Sequence, residues 1–458
     1  MYFKLTSIAF LAILFIVVLP CTAEARVTSI AAGGGHVLAL NDDGTVLAWG
    51  HNRMGELGIG VAGNSQKTPQ KVLIDNVTAI AASGSNSLAL KKDGTVWAWG
   101  NGADGSLGNG GTEPKYSPVQ VTDLTNVTAI ACGYGCYALK DDGTVWAWGN
   151  NYNGALGDDT TENRLIPAQI NGLTDIVALG EKGSFAIKGD GTVWAWGSND
   201  YGDYYTISYG ALGDTTGPGV RTPFQVGGLQ NVKQIIRGGE SYTLYLQNNG
   251  TVWGWGGKFY GELGDGNQNS SCCPPFVEEI TNTRVQAKIS DVEKISSTFY
   301  HTVALKRDGT VWFWGKFIDG RTMYNNVQGT STPYQISGLD QVVDIAAGDQ
   351  CCIVLKEDGS IWGWGDNHYN ALLDHGKYVA EPVMLLEGSP VTTSTQMIEP
   401  TNTAINNSSF PGTLNDISTV TPNTPVTTPG FSFNNIAGLY SLLIIVGLLT
   451  GFVRRKGR

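Results

Sequence analysis

One turn motif recurs seven times in this chain, and a chain that repeats a single unit seven times has few ways to fold. Asp-Gly or Asn-Gly is followed by Thr or Ser, then Val or Ile, and three residues later by Trp-Gly. The turn glycines are Gly44, Gly94, Gly143, Gly191, Gly250, Gly309 and Gly359, at spacings of 50, 49, 48, 59, 59 and 50 residues. Asp-Gly between two apolar runs signals a tight hairpin. Each copy also has an upstream segment such as Ile30-Ala31-Ala32-Gly33 and a second apolar run such as Val37 to Leu40. Downstream lies Gly-x-Leu-Gly, starting at Gly55, Gly105, Gly154, Gly210 and Gly261, then a piece such as Pro118-Val119-Gln120-Val121. Every copy therefore offers four short strands, and the chain is expected to be all-β.

All 13 Trp fall within these motifs. In Val96-Trp97-Ala98-Trp99-Gly100 the strand period of two puts both Trp on one face and Val and Ala on the other. A sheet bulky on one face and small on the other stacks on copies of itself. The Trp face of one sheet is expected to fill the space above Ala98, Ala147, Ala195 or Gly254 in a neighbour. Seven such sheets around an axis make a seven-bladed β-propeller, here over residues 26–387, whose closure leaves only short, protected edges. On this reading the Trp are core residues, since a ladder repeated this regularly is structural.

The pattern resembles the regulator of chromosome condensation repeat family, over about Val27 to Leu386. The resemblance implies a seven-bladed propeller of ~50-residue repeats. Three copies depart from it: the first has Leu47 where a Trp is expected, and the sixth and seventh replace Gly-x-Leu-Gly by Gly320-Arg321-Thr322-Met323 and Asn370-Ala371-Leu372-Leu373. The family's eukaryotic founder exchanges guanine nucleotide on a small nuclear GTPase and touches chromatin. A net charge of -11, the marks of export and the lack of a basic arm argue against carrying that role, or any nucleic-acid partner, to this chain.

The two ends read as addresses. Residues 1–25 combine Lys4, an apolar run from Ile8 to Leu19 and the small-residue site Ala23-Glu24-Ala25, the pattern of a secretory signal peptide. Residues 388–428 are rich in Thr, Ser, Pro and Asn and read as an extended, glycosylated stalk. Sequons beginning at Asn76, Asn126, Asn249, Asn269, Asn406 and Asn407 agree with export. In residues 429–458, an uncharged segment from Ile436 to Val453 precedes Arg454, Arg455, Lys456 and Arg458. As a helix it is ~27 Å long, enough to span a bilayer, with the basic end inside. Pro429-Gly430-Phe431 just before it resembles the archaeal PGF-type sorting signal, which implies a cell-surface protein with lipid attachment replacing the helix. The chain is thus expected to be exported and anchored to the membrane by its C-terminus.

No catalytic constellation stands out. The five His are His36, His51, His301, His368 and His375, and His36 and His301 occupy one repeat position, as structural histidines would. Metalloprotease, nucleophile-elbow and phosphate-loop motifs are missing. Asp158, Asp159, Asp214 and Asp265 lack the spacing of a calcium loop and read as solvated turn carboxylates. No metal, no cofactor and no enzymatic activity is expected. Removal of the signal peptide leaves Cys132, Cys136, Cys272, Cys273, Cys351 and Cys352; an even number favours disulfides in an exported protein, and Cys132–Cys136 flanks a turn that one bridge can clip.

The two longest repeats carry insertions, and strand alternation puts these on the rim that holds the first-to-second and third-to-fourth strand loops. Repeat four inserts Tyr201, Tyr204, Tyr205 and Tyr209; repeat five carries Phe259 and Tyr260; Tyr134, Phe299 and Tyr300 lie in first-to-second loops of the same rim. Loop aromatics on a rigid scaffold make a binding patch. The reading is a non-enzymatic scaffold for a protein partner at the cell envelope, with a glycan-binding or adhesive role second and an exported hydrolase or lyase third.

Overall fold

The computed structural model describes residues 25–199, 210–213, 219–239, 242–267, 280–316 and 329–388. The signal-peptide segment, nearly all of the stalk and the C-terminal segment with Pro429, Gly430 and Phe431 lie outside them, as do Tyr201, Tyr204, Tyr205 and Tyr209.

Seven four-stranded antiparallel sheets follow one another, each made of four consecutive strands and none borrowing a strand from another repeat. They occupy 27–71, 77–120, 127–169, 176–226, 232–286, 292–335 and 342–386. In blade one the strands are Val27–Ala32, His36–Asn41, Val46–Asn52 and Gly63–Lys71. The first strand of each blade faces the axis, where Ala31, Ile80, Ile130, Val177, Gln234, Lys294 and Ala346 are among the residues lining a channel of about 400 Å³. Blade seven closes on blade one through side chains: Asp344 accepts from the Ile30 amide at 3.2 Å and the Ser29 hydroxyl at 3.4 Å.

The turn motif is a hydrogen-bonded circuit. In blade two, Asp93 Oδ1 accepts from the Thr95 amide at 3.0 Å and from its hydroxyl at 2.6 Å, and Thr95 Oγ1 accepts the Trp97 indole N–H at 3.2 Å. An Asx-type turn of this kind presets the hairpin without help from the rest of the blade. The same links recur at Asp142-Thr144-Trp146, Asp190-Thr192-Trp194, Asn249-Thr251-Trp253, Asp308-Thr310-Trp312 and Asp358-Ser360-Trp362.

The reading of every Trp as core is corrected by this geometry. The second Trp of each strand is sealed between blades: Trp49, Trp99, Trp148, Trp196, Trp255, Trp314 and Trp364 are at most 4% exposed. The first, from Trp97 to Trp362, is half-buried near the Asp-Gly rim. There a lysine ammonium lies over the indole in five blades, as with Lys91 over Trp97 at 5.2 Å. Both Trp share a face, as the period of two requires, but they sit at different depths.

The sealed Trp pack on the neighbour's small residues as expected: Trp148 with Ala98, Trp196 with Ala147, Trp255 with Ala195, and Trp314 on the blade carrying Gly254. Gly-x-Leu-Gly is the socket for them. Its x carbonyl accepts the next blade's indole N–H, at 2.8 Å for Trp99 to Glu56 and 3.1 Å for Trp148 to Ser106. Its Leu is buried, and its last Gly lies so near the indole that a Cβ at Gly108 would stand 2.8 Å from Trp148 Cδ1. Blade seven keeps the socket without either glycine: Ala371 O accepts Trp49 Nε1 at 2.8 Å, with Asn370 and Leu373 at φ 59° and 57°.

Candidate functional site

Strand direction alternates, so the first-to-second and third-to-fourth loops of all blades meet on one rim. Around the axis the first-to-second turns present Gly34, Gly84, Tyr134, Lys182, Gly239, Phe299 and Asp349 in blade order. These turns interlock through backbone: the Gly34 amide donates to Gly84 O at 2.8 Å, and a Cβ at Gly133 would lie 2.0 Å from Lys182 O. Three of the seven turns offer no side chain at that position. Among the described residues of these turns, Tyr134, Lys182, Phe299 and Asp349 line a funnel of about 300 Å³ at the channel mouth, whose wall Asn86, Asn101, Asp104 and Arg237 help to complete. The Cys132–Cys136 disulfide clips the turn that carries Tyr134. Lys182 and Ser184 hold φ of 67° and 62°, a conformation that costs a non-glycine residue about 1–3 kcal/mol.

Beside the funnel, Tyr260 and Tyr300 share one cation, and Phe299 packs beside Tyr300. Tyr260 and Tyr300 meet edge to face at 5.4 Å, Phe299 lies 6.1 Å from Tyr300, and the Lys316 ammonium stands 5.3 Å from the Tyr260 ring and 4.8 Å from the Tyr300 ring. Burial holds the Lys316 pKa below the usual lysine value. Phe259 is half-buried in the same loop as Tyr260, and Tyr134, 38% exposed, faces this cluster from blade three.

Sequence reasoning missed Met54, Tyr152 and Tyr369, all exposed on the third-to-fourth loops of this rim. Each stands one or two residues before the socket, where Tyr260 also stands, so aligning the copies on that motif would have found them. Tyr369 packs edge to face on His51 at 4.7 Å, and His51 Nδ1 lies 2.8 Å from Glu56 Oε1.

One hydroxyl–imidazole pair lies sealed in the core. Ser87 Oγ and His36 Nε2 are 2.8 Å apart, but Ser87 donates to Glu56 O at 2.8 Å and the two residues are 0% and 1% exposed. No substrate reaches them. Burial lowers the pKa of His36 to about 4 and that of His301 to about 3, leaving both imidazoles neutral. Burial pushes the Cys351 thiol up to about 12, and that of Cys352 well above the usual thiol value. Among the described residues no three His, Cys, Asp or Glu side chains cluster to hold a metal, and no helix is long and apolar enough to cross a membrane.

A family model described as the RCC1-like domain matches residues 14–290, and one described as the regulator of chromosome condensation (RCC1) repeat matches 342–371. The human E3 ubiquitin-protein ligase HERC2 is 32% identical over 183 residues, 37% of this chain and 4% of HERC2. The ultraviolet-B receptor UVR8 of Arabidopsis thaliana is 29% identical over 150 residues, 32% of this chain and 31% of the receptor. The chain thus matches a small part of these relatives. Among solved structures, Prp20p of Saccharomyces cerevisiae, described with its binding properties to Gsp1p and histones, superposes with a TM-score of 0.63 at 20% identity, covering 76% of this chain and 87% of Prp20p. Human WBSCR16 superposes with a TM-score of 0.59 at 20% identity, covering 73% and 88%. At such identities these likenesses concern the fold.

Proposed function

The chain belongs to the RCC1-like domain family, and from that premise we propose that its propeller is a non-enzymatic scaffold that docks a protein partner on the rim carrying Tyr134, Tyr152, Tyr260, Phe299, Tyr300 and Tyr369. The observation that carries this reading is the arrangement of that rim: aromatic and charged side chains project from turns that are locked to one another by backbone contacts. A preformed surface of that kind loses little conformational freedom on binding. Relatives of this fold are described with protein ligands, as Prp20p is with Gsp1p and histones. The sealed Ser87–His36 pair favours binding over hydrolysis.

The test is capture of envelope proteins by the full chain, with and without Tyr134→Ser, Tyr152→Ser and Tyr369→Ser together. Loss of a specific partner with an unchanged melting temperature supports the reading; undiminished capture refutes the choice of rim. We place the scaffold at the cell surface, exported and held by its C-terminal segment. Deleting residues 429–458 should release the protein into the medium, and persistence of the shortened form on cells refutes the anchor.

A further inference from the structure

The charges along the axis fall into two groups. Inside the channel they are committed: Glu181 accepts from the neutral Gln234 at 2.9 Å and Ser296 at 3.1 Å, and Lys294 is paired with Asp344. At the mouth, neither Lys182 nor Asp349 has a side-chain hydrogen bond or ion pair among the described residues. They belong to blades four and seven, three blades apart, and so face each other across the funnel. Tyr134 and Phe299, on blades three and six, form a second facing pair. The interlocked turns keep Lys182 and Asp349 on opposite walls. Arg237 and Asp104 also line the mouth, but Arg237 donates to the carbonyls of Gly239 and Ser198, and Asp104 accepts from the side-chain amides of Asn150 and Asn163. Among the described residues the mouth therefore offers one uncommitted cation, one uncommitted anion and two flat apolar faces, in crossed pairs, within about 300 Å³. That volume lies at the lower end of the roughly 300–1,000 Å³ range of ligand pockets.

A simple anion uses only Lys182 and meets Asp349 as a repulsion. A phosphate dianion fares worse, with a single uncommitted cation to receive it. An acidic sugar supplies no cation for Asp349. A polypeptide turn supplies both charges on aliphatic stems that can lie along aromatic rings. We propose that the funnel receives the tip of a partner-protein loop bearing one acidic and one basic side chain, the carboxylate on Lys182, the cation on Asp349, and the stems against Tyr134 and Phe299. This rests on the reading of the rim as a protein-docking surface and names what the partner brings to its centre.

The probe is a phage library of disulfide-constrained random heptapeptides selected on the full chain. Enriched peptides are expected to carry an acid and a base, and to lose at least tenfold in affinity on Lys182→Gln and again on Asp349→Asn, with the melting temperature unmoved. Replacing the peptide's acid by lysine should restore binding to Lys182→Glu. Peptides that bind both neutral variants undiminished overturn the proposal. If those peptides are instead lost on Tyr152→Ser or Tyr369→Ser, the docking rim stands and only the funnel assignment falls; if no rim variant weakens them, both fall. A glucuronic-acid disaccharide that binds the protein and is lost on Lys182→Gln, with no peptide enriched, also overturns it and gives the funnel to a sugar.

Discussion

Gly108 and Gly110 offer a measurement of how tightly one blade holds the next. Both have positive φ, at 61° and 84°. A Cβ at Gly108 would sit 2.8 Å from Trp148 Cδ1 and 2.9 Å from Val121 Cγ1, whereas at Gly110 the nearest atom would be Ile166 Cγ2 at 3.9 Å. Alanine in a left-handed conformation costs roughly 1–2 kcal/mol at either site. Loss of glycine's freedom in the unfolded chain offsets roughly 0.4–1 kcal/mol of that at both and cancels in the comparison. Only Gly108→Ala adds a methyl to a packed core, at a further ~1–3 kcal/mol. Guanidinium unfolding followed by Trp fluorescence should therefore show Gly108→Ala less stable than Gly110→Ala by about 2 kcal/mol. Equal losses would mean that the socket needs glycine only for its backbone, and the account of Gly-x-Leu-Gly as a socket for the neighbour's indole would be wrong.

Trp99→Ala should cost ~3–5 kcal/mol and Trp97→Ala roughly half of that, because only Trp99 is sealed; equal costs in the same unfolding assay would contradict the two depths. Acid should weaken the fold through His36 and His301, whose folded pKa values of about 4 and about 3 lie below the unfolded 6.5. The unfolded chain takes up their protons first, so this part of the stability is complete above pH 6.5 and is lost as pH falls toward those values. His36→Asn, which copies Asn86 at the matching position of blade two, should flatten the fall between pH 6.5 and 4; an unchanged slope in pH-dependent melting would refute the assignment.

The ring was legible because its causes are local. Asp93-Gly94-Thr95 makes its hairpin from its own side chains, and the period of two assigns Trp97 and Trp99 to one face whatever surrounds them. Depth along the axis is not a property of one strand, which is why Trp97 and Trp99 look alike in sequence and differ in exposure. The role of Gly-x-Leu-Gly was hidden for the same reason, since the indole that needs it lies about 40 residues downstream, 42 from Ser106 to Trp148. Leu373 shows that the socket tolerates a left-handed Leu, so the loss of both glycines in repeat seven did not open the ring. On the rim, alternation brought Tyr260, Phe299 and Tyr300 to one side, and the structure puts Tyr260 and Tyr300 on Lys316 with Phe299 beside Tyr300. Lys182 gave no signal, because a lysine in a turn is ordinary until its backbone conformation, and its lack of a side-chain partner among the described residues, are seen. Tyr201, Tyr204, Tyr205 and Tyr209 lie outside the described residues.

The central claim is that this protein works through one rim, and hydrogen–deuterium exchange of the full chain with its captured partner tests it directly. Protection is expected in the turns carrying Tyr134, Lys182, Phe299 and Asp349 and in the loops of Tyr152, Tyr260 and Tyr369, with the Asp-Gly turns at Gly94, Gly143 and Gly309 exchanging as in the free protein. Protection at those Asp-Gly turns, with the funnel turns unchanged, would contradict it.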